Sequence, residues 1–350
     1  MTDPAATPPA ATPPAAEPSA PHLYRLRTVL LVVLAVVALA AAFLFLAPSG
    51  VAVPRAAHDP ADSYEAATAR VAAVQAAEAA DLTVREDCRT RLYDHGAATD
   101  RVIILFHGYT NCPKQYDVLA AELAGRGFTV YVPRMPHHGQ PETIARPLNT
   151  LAAEEIVRYA NDAVDIAVGL GGEVVALGLS GGGTVTSYLA QLREEVDLAI
   201  PIAAFLGLPS VPEPLTPALI NALTLAPSMD AYEAPPDAAQ RGQFPHGQSD
   251  TSTHGAVAYM RVGQAVFAAA AGEGPRAGRV VVVVNDADDI VNNPMIESLE
   301  SRWAAAAPDR VELVRLQASL GLLHDLITPD REGARVDVVY PMLLDLVGEG

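Results

Sequence analysis

The sequence predicts an α/β domain on a mainly parallel, twisted sheet with helices on both faces, preceded by one membrane-spanning helix. Three observations predict it. Short apolar runs alternate with helix-compatible stretches over about 250 residues. The runs lack polar alternation, as expected of strands buried on both faces. A long charge-free apolar stretch stands near the N-terminus. Of the 350 residues, 50% are apolar and 18% charged, enough for a large core and incompatible with a wholly disordered chain. Lys and Arg number 23 against 41 Asp and Glu, a net charge of −18. A surface that acidic repels phosphate backbones, so nucleic acid is not an expected partner. Two cysteines can build neither a disulfide-stapled miniprotein nor a four-thiolate metal site.

Residues 1–27 read as a Pro/Ala-rich cytoplasmic tail, with seven Pro and seven Ala in the first 21 positions. Residues 28–48 read as a transmembrane signal-anchor. Val29 to Ala47 is an unbroken apolar run of 19 residues, close to the ~20 that cross a bilayer core. Arg25 and Arg27 precede it and a net acidic segment follows, which places the N-terminus in the cytoplasm and the rest of the chain outside. The alternative is a signal peptide cleaved near Gly50-Val51-Ala52, although its apolar region would normally be shorter. Residues 49–81 read as a Pro-containing linker and a leading helix, with Tyr64, Val71 and Val74 at helical spacing.

The expected domain occupies 82–350. Its strands are Val102–Phe106, Thr129–Val132, Glu173–Leu177, Leu198–Ile202, Val280–Val284 and Val311–Leu316. Helices are expected over 115–125, 151–169, 183–195, 256–271 and 294–307. In such folds ligands sit beyond the carboxyl ends of the strands, and chemistry-bearing residues stand there. After Glu173–Leu177 comes Gly178-Leu179-Ser180-Gly181-Gly182, a G-x-S-x-G turn whose Ser180 would project over the sheet edge between Gly178 and Gly182. His107-Gly108-Tyr109-Thr110-Asn111 follows the first run. A tetrahedral intermediate needs two amides aimed at its oxyanion, and those of Tyr109 and Gly181 are expected to supply them. Asp286, Asp288 and Asp289 crowd the end of the all-valine run, and His324 follows the last one.

The order Ser…Asp…His, with HGYTN, GLSGG, D-x-I-V and the late histidine, resembles the α/β-hydrolase family over roughly residues 90–347. The resemblance implies that fold and a catalytic triad. It selects Asp288 among the three acids, because the family's acid is usually followed by x-[IV]-[VP]. In the same family Pro136-His137-His138-Gly139 is similar to a P-G-H-G turn, with His137 where glycine is usual. Neighbouring histidines also suggest metal, but no third ligand stands at suitable spacing, so the turn reading is preferred. Residues 207–255, with eight prolines, are expected to form a small lid over an acyl pocket or a surface loop without that role. Cys88 and Cys112 flank the strand leading into the oxyanion loop. Outside the cytoplasm they are expected to form a disulfide that braces the loop, against two buried thiols as the alternative.

The implied activity is that of a serine hydrolase cleaving carboxylic esters, of the carboxylesterase or lysophospholipase and monoacylglycerol-lipase kind. The substrate would be a small-molecule or lipid acyl ester, with no cofactor and no metal. A peptidase, thioesterase or acyltransferase would use the same triad. A cell-surface binding module with a vestigial triad is the non-enzymatic rival.

Overall fold

A computed structural model describes residues 21–52, 58–140, 147–233 and 250–348. The first part of the expected tail (1–20), part of the linker (53–57) and the middle of the expected lid (234–249) lie outside the described residues. The chain divides into two compact units, Met1–Leu46 and Ala47–Gly350.

In the first unit, helix α1 spans Pro21–Leu46, starting earlier than the Thr28 expected from charge alone. Proline is well placed at a helix start, where its missing N–H has no intrahelical partner. The stretch Arg25–Leu46 is 22 residues long with a mean hydropathy of 3.2, and none of it is buried. It is long and apolar enough to cross a membrane.

The second unit begins against its own body. Val51 N–H donates to the Arg261 carbonyl at 3.1 Å, and Asn221 Nδ2 donates to the Ala47 carbonyl at 3.0 Å. Helix α2 (Tyr64–Ala80) is capped by Ser63, whose Oγ accepts from Ala66 N–H at 3.2 Å. There follow β1 (Arg91–Tyr93), β2 (Thr99–Phe106), α3 (Asp117–Gly125), β3 (Thr129–Val132), α4 (Ala153–Ala167), β4 (Gly171–Leu179) and α5 (Gly181–Leu192). Next come β5 (Leu198–Ile202), α6 (Thr216–Leu225), β6 (Asp230–Glu233), β7 (Asp250–Ser252) and α7 (Thr253–Ala270). The chain ends with β8 (Arg279–Asn285), α8 (Asn293–Ala306), β9 (Val311–Leu316) and α9 (Val336–Gly348).

Seven strands form one sheet in the order β1-β3-β2-β4-β5-β8-β9, parallel except for β1. All six expected strands are present, and helices flank the sheet. One expectation needs correction. Val311–Leu316 is not buried on both faces: β9 is an edge strand, and Glu312 and Arg315 stand exposed on it. Five elements went unanticipated: the three-residue β1, α6 and the paired strands β6 and β7 inside 207–255, and α9, which carries an internal Pro341.

Neighbouring β2 and β4 pair Phe106 with Gly178, so the HGYTN loop and the serine turn leave the sheet side by side. The approach of α5 to β2 there leaves no room for side chains. A Cβ on Gly182 would stand 1.9 Å from the Phe106 carbonyl oxygen, and one on Gly178 would stand 2.2 Å from the Gly182 carbonyl oxygen. Ser180 takes φ +57° and ψ −113°, a positive-φ conformation rare for a residue with a side chain. Its backbone is locked there. Ser180 N–H donates to Ile202 O at 2.9 Å, and Phe205 N–H donates to Ser180 O at 3.0 Å. Gly182→Ala must push α5 off β2 and is expected to cost more than about 3 kcal/mol. Thermal melting of the purified variant checks this; an unchanged Tm contradicts the packing described.

Candidate active site

Five loops converge beyond the carboxyl ends of β2, β4, β5, β8 and β9. They line a cavity of about 340 Å³ that includes Tyr109, Ser180, Phe205, Ile290 and His324. Of the three acids after β8, only Asp288 meets the histidine. His324 Nδ1–H donates to Asp288 Oδ2 at 2.6 Å, and the Asp288 side chain is fully buried. Its other oxygen accepts from the amides of Ile290 (2.9 Å) and Val291 (3.4 Å). Four lone-pair directions thus hold three donors, which fixes the carboxylate plane. Asp286 instead pairs with Arg315 at 2.6 Å, and Asp289 is exposed on the cavity rim. With Nδ1 engaged, the other ring nitrogen of His324 is the one available to Ser180. Ser180 and His324 share the cavity wall without a direct hydrogen bond.

The two expected oxyanion donors are adjacent. A Cβ on Gly181 would stand 3.1 Å from Tyr109 N and 3.0 Å from the Tyr259 ring, so a side chain there would crowd both. The Tyr109 side chain is fixed from the other side. Its O–H donates to the Ser252 carbonyl at 2.9 Å while Ser252 N–H donates to its Oη at 3.1 Å. Cys88 and Cys112 are joined as a disulfide at the far end of the same loop.

Behind the loop lie two buried histidines. His107 Nε2 accepts from Met135 N–H at 3.1 Å and its Nδ1–H donates to Gly108 O at 3.0 Å, the arrangement of a neutral ring. His138 faces two carbonyls, Pro136 O at 2.7 Å from Nδ1 and Tyr109 O at 2.8 Å from Nε2. Burial depresses both: His107 lies well below the ordinary histidine range, and His138 falls to about 4 despite its two carbonyl partners. His137 takes φ +63°, the conformation glycine would adopt without strain, and its ring meets Glu155 at 3.2 Å. Neither neighbouring histidine joins a cluster. Among the described residues no group of three or more His, Cys, Asp or Glu side chains is placed to hold a metal.

Residues 103–332 match the alpha/beta hydrolase family. This chain belongs to that family. A stretch of 114 residues is 28% identical to the thermostable monoacylglycerol lipase of Bacillus sp. (strain H-257). It covers 33% of this chain and 44% of that lipase, so the chain spans less than half the length of this curated relative. The fold is similar to that of the Paleococcus ferrophilus monoacylglycerol lipase, with a TM-score of 0.55 at 18% identity over 75% of this chain and 98% of the other. It is also similar to a soluble variant of the Saccharomyces cerevisiae monoglyceride lipase solved with a substrate analog (TM-score 0.54, 15% identity, 74% and 91% covered). At those identities the structural likeness speaks for the fold.

The role of one residue of this alpha/beta hydrolase site escaped the sequence reading. Asn285 stands where the family usually has glycine, and its Nδ2 donates to the carbonyls of Leu322 (3.2 Å) and Leu323 (3.0 Å). It therefore ties the end of β8 to the loop carrying His324. Its position next to the acids was the available signal; its partners were not visible without the fold.

The buried histidines set a pH dependence. A ring whose folded pKa is depressed below the ordinary 6.5 binds its proton more readily in the unfolded chain. Their contribution to stability is therefore complete above pH 6.5 and lost as pH falls toward about 4. Melting temperatures between pH 7.5 and pH 4.5 should fall with acid, and less steeply in His138→Asn. A parallel fall in that variant would remove His138 from the explanation.

Proposed function

We propose that the chain is a membrane-anchored serine hydrolase that cleaves carboxylic esters through an acyl-enzyme. The observation that carries this reading is the His324–Asp288 contact of 2.6 Å on the cavity wall that also holds Ser180 at its strained turn. Ser180 Oγ attacks the ester carbonyl while His324 takes its proton. Asp288 keeps the imidazole in the tautomer that can do so and stabilises the imidazolium that forms. The oxyanion settles against the amides of Tyr109 and Gly181, where donors fixed in advance need no reorganisation. His324 then protonates the departing alcohol, and water, activated by the same histidine, releases the acid.

The substrate reading is an acyl ester of the monoacylglycerol or lysophospholipid kind. The cavity lies within the usual range for small-molecule sites, roughly 300–1,000 Å³, and Phe205, Leu208, Ala256 and Ile290 give it an apolar wall. The one curated relative named above and two structural neighbours are monoacylglycerol lipases. The segment 207–255 would act as the lid. The apolar helix would hold the protein in a membrane, with the N-terminus cytoplasmic and the hydrolase domain outside. Arg25 and Arg27 ahead of the span support that orientation, and so does a Cys88–Cys112 disulfide, a bond that persists in oxidising compartments.

With p-nitrophenyl esters from C2 to C16, Ser180→Ala should lose turnover by roughly 10³-fold or more while melting like the parent. Asp288→Asn should be impaired by up to about 10⁴-fold, and Asp286→Asn much less. Substantial esterase activity in Ser180→Ala, or damage concentrated in Asp286→Asn, would refute the assignment.

A further inference from the structure

A buried carboxylate next to the histidine has no part in the mechanism above. Asp325 is 7% exposed, yet it does not touch the His324 ring, whose Nδ1 belongs to Asp288. Its carboxylate instead collects donors from two loops. On its own turn it accepts from the amides of Ile327 (3.1 Å) and Thr328 (3.0 Å) and from Thr328 Oγ1 (2.6 Å). From across the cavity it accepts from Gln115 Nε2 at 3.1 Å and Asn111 Nδ2 at 3.3 Å. Arg331 Nη1 stands 3.8 Å away and lines the cavity with it. The far end of Gln115 completes the tie: its Oε1 accepts from Gly108 N–H at 2.8 Å. Gly108 is the residue before Tyr109, whose backbone nitrogen stands beside Gly181.

We propose that Asp325, acting through Gln115 and Asn111, is a positioning residue that locks the oxyanion loop to the loop carrying His324. The inference rests on the serine-hydrolase reading and deepens it. The base and the oxyanion donors must keep one separation while charge moves from Ser180 to the substrate oxygen. They are carried by chain segments more than 200 residues apart. A carboxylate that accepts from both segments fixes that separation without entering the reaction. An amide at 325 would not serve, because its one oxygen has two lone pairs and its NH₂ would face donors instead of accepting from them. Gln115 gives its amide nitrogen to the carboxylate and its carbonyl oxygen to Gly108 N–H, so one side chain couples Asp325 to the loop backbone.

The full-length protein in detergent is compared with Asp325→Asn and, should that variant fold poorly, Gln115→Met. Active sites are titrated with a fluorophosphonate, then kcat per titrated site and KM are measured on a p-nitrophenyl ester. Affinity for a trifluoromethyl ketone, which forms a tetrahedral adduct, is measured alongside. The expected result is a kcat per site lowered roughly 10- to 100-fold with KM within about twofold, and ketone affinity lowered in parallel with kcat/KM. A kcat per titrated site unchanged from the parent, with only Tm or the titratable fraction reduced, would make Asp325 merely structural and overturn the proposal. So would a rise in KM alone. If the parent itself neither labels nor turns over, the serine-hydrolase reading fails first, and the role of Asp325 fails with it.

Discussion

The close approach of α5 to the end of β2 governs everything at this site. The serine turn fits only because glycines at 178, 181 and 182 let backbone touch backbone, with the Gly182 position directly under the Phe106 carbonyl. Strain at Ser180, of the order of 1–3 kcal/mol, persists because hydrogen bonds from β5 and the loop after it over-determine the conformation. The same approach sets the Tyr109 amide beside Gly181. Ser180, Gly181 and the Tyr109 backbone are thus brought together by one packing event.

Buried polar groups surround that contact. His107 anchors Met135, His138 faces the Tyr109 carbonyl, Asn285 grips the carbonyls before His324, and Asp325 joins the two sides. Buried polar groups specify geometry when each has a partner, and cost stability when one is removed. The loops of this site send Tyr109, Phe205, Val291, Leu322 and Ile327 into the apolar core. Hydrogen bonds then fix the direction of their amides and polar side chains.

Much of this was legible in the sequence, for physical reasons. Continuous Val/Ile/Leu runs between turns have no stable place except a doubly covered parallel strand, and five of the six expected runs are buried in that way. The sixth, Val311–Leu316, carries Glu312 and Arg315, an alternation that marks the edge position it occupies. The strand β1 is too short for periodicity to register, and its antiparallel pairing to β3 is a tertiary fact. The separation of Asp288 from Asp286 came through a family pattern; in the structure the reason is that Arg315 takes Asp286. Gln115, Asn111 and Asp325 gave no signal, because a polar residue in a loop reveals its partner only when the chain has folded. His137 was noticed as a departure from glycine, and its positive φ shows what that departure strains.

The most direct test is to find where the substrate's acyl group goes. The protein is mixed with a slow p-nitrophenyl ester, quenched in acid within the burst, digested and mapped by mass spectrometry. A single acyl adduct on the peptide containing Ser180, absent when Ser180 is alanine, is the expected result. Product release without any adduct, or an adduct on another residue, would contradict the assignment of Ser180 as the nucleophile.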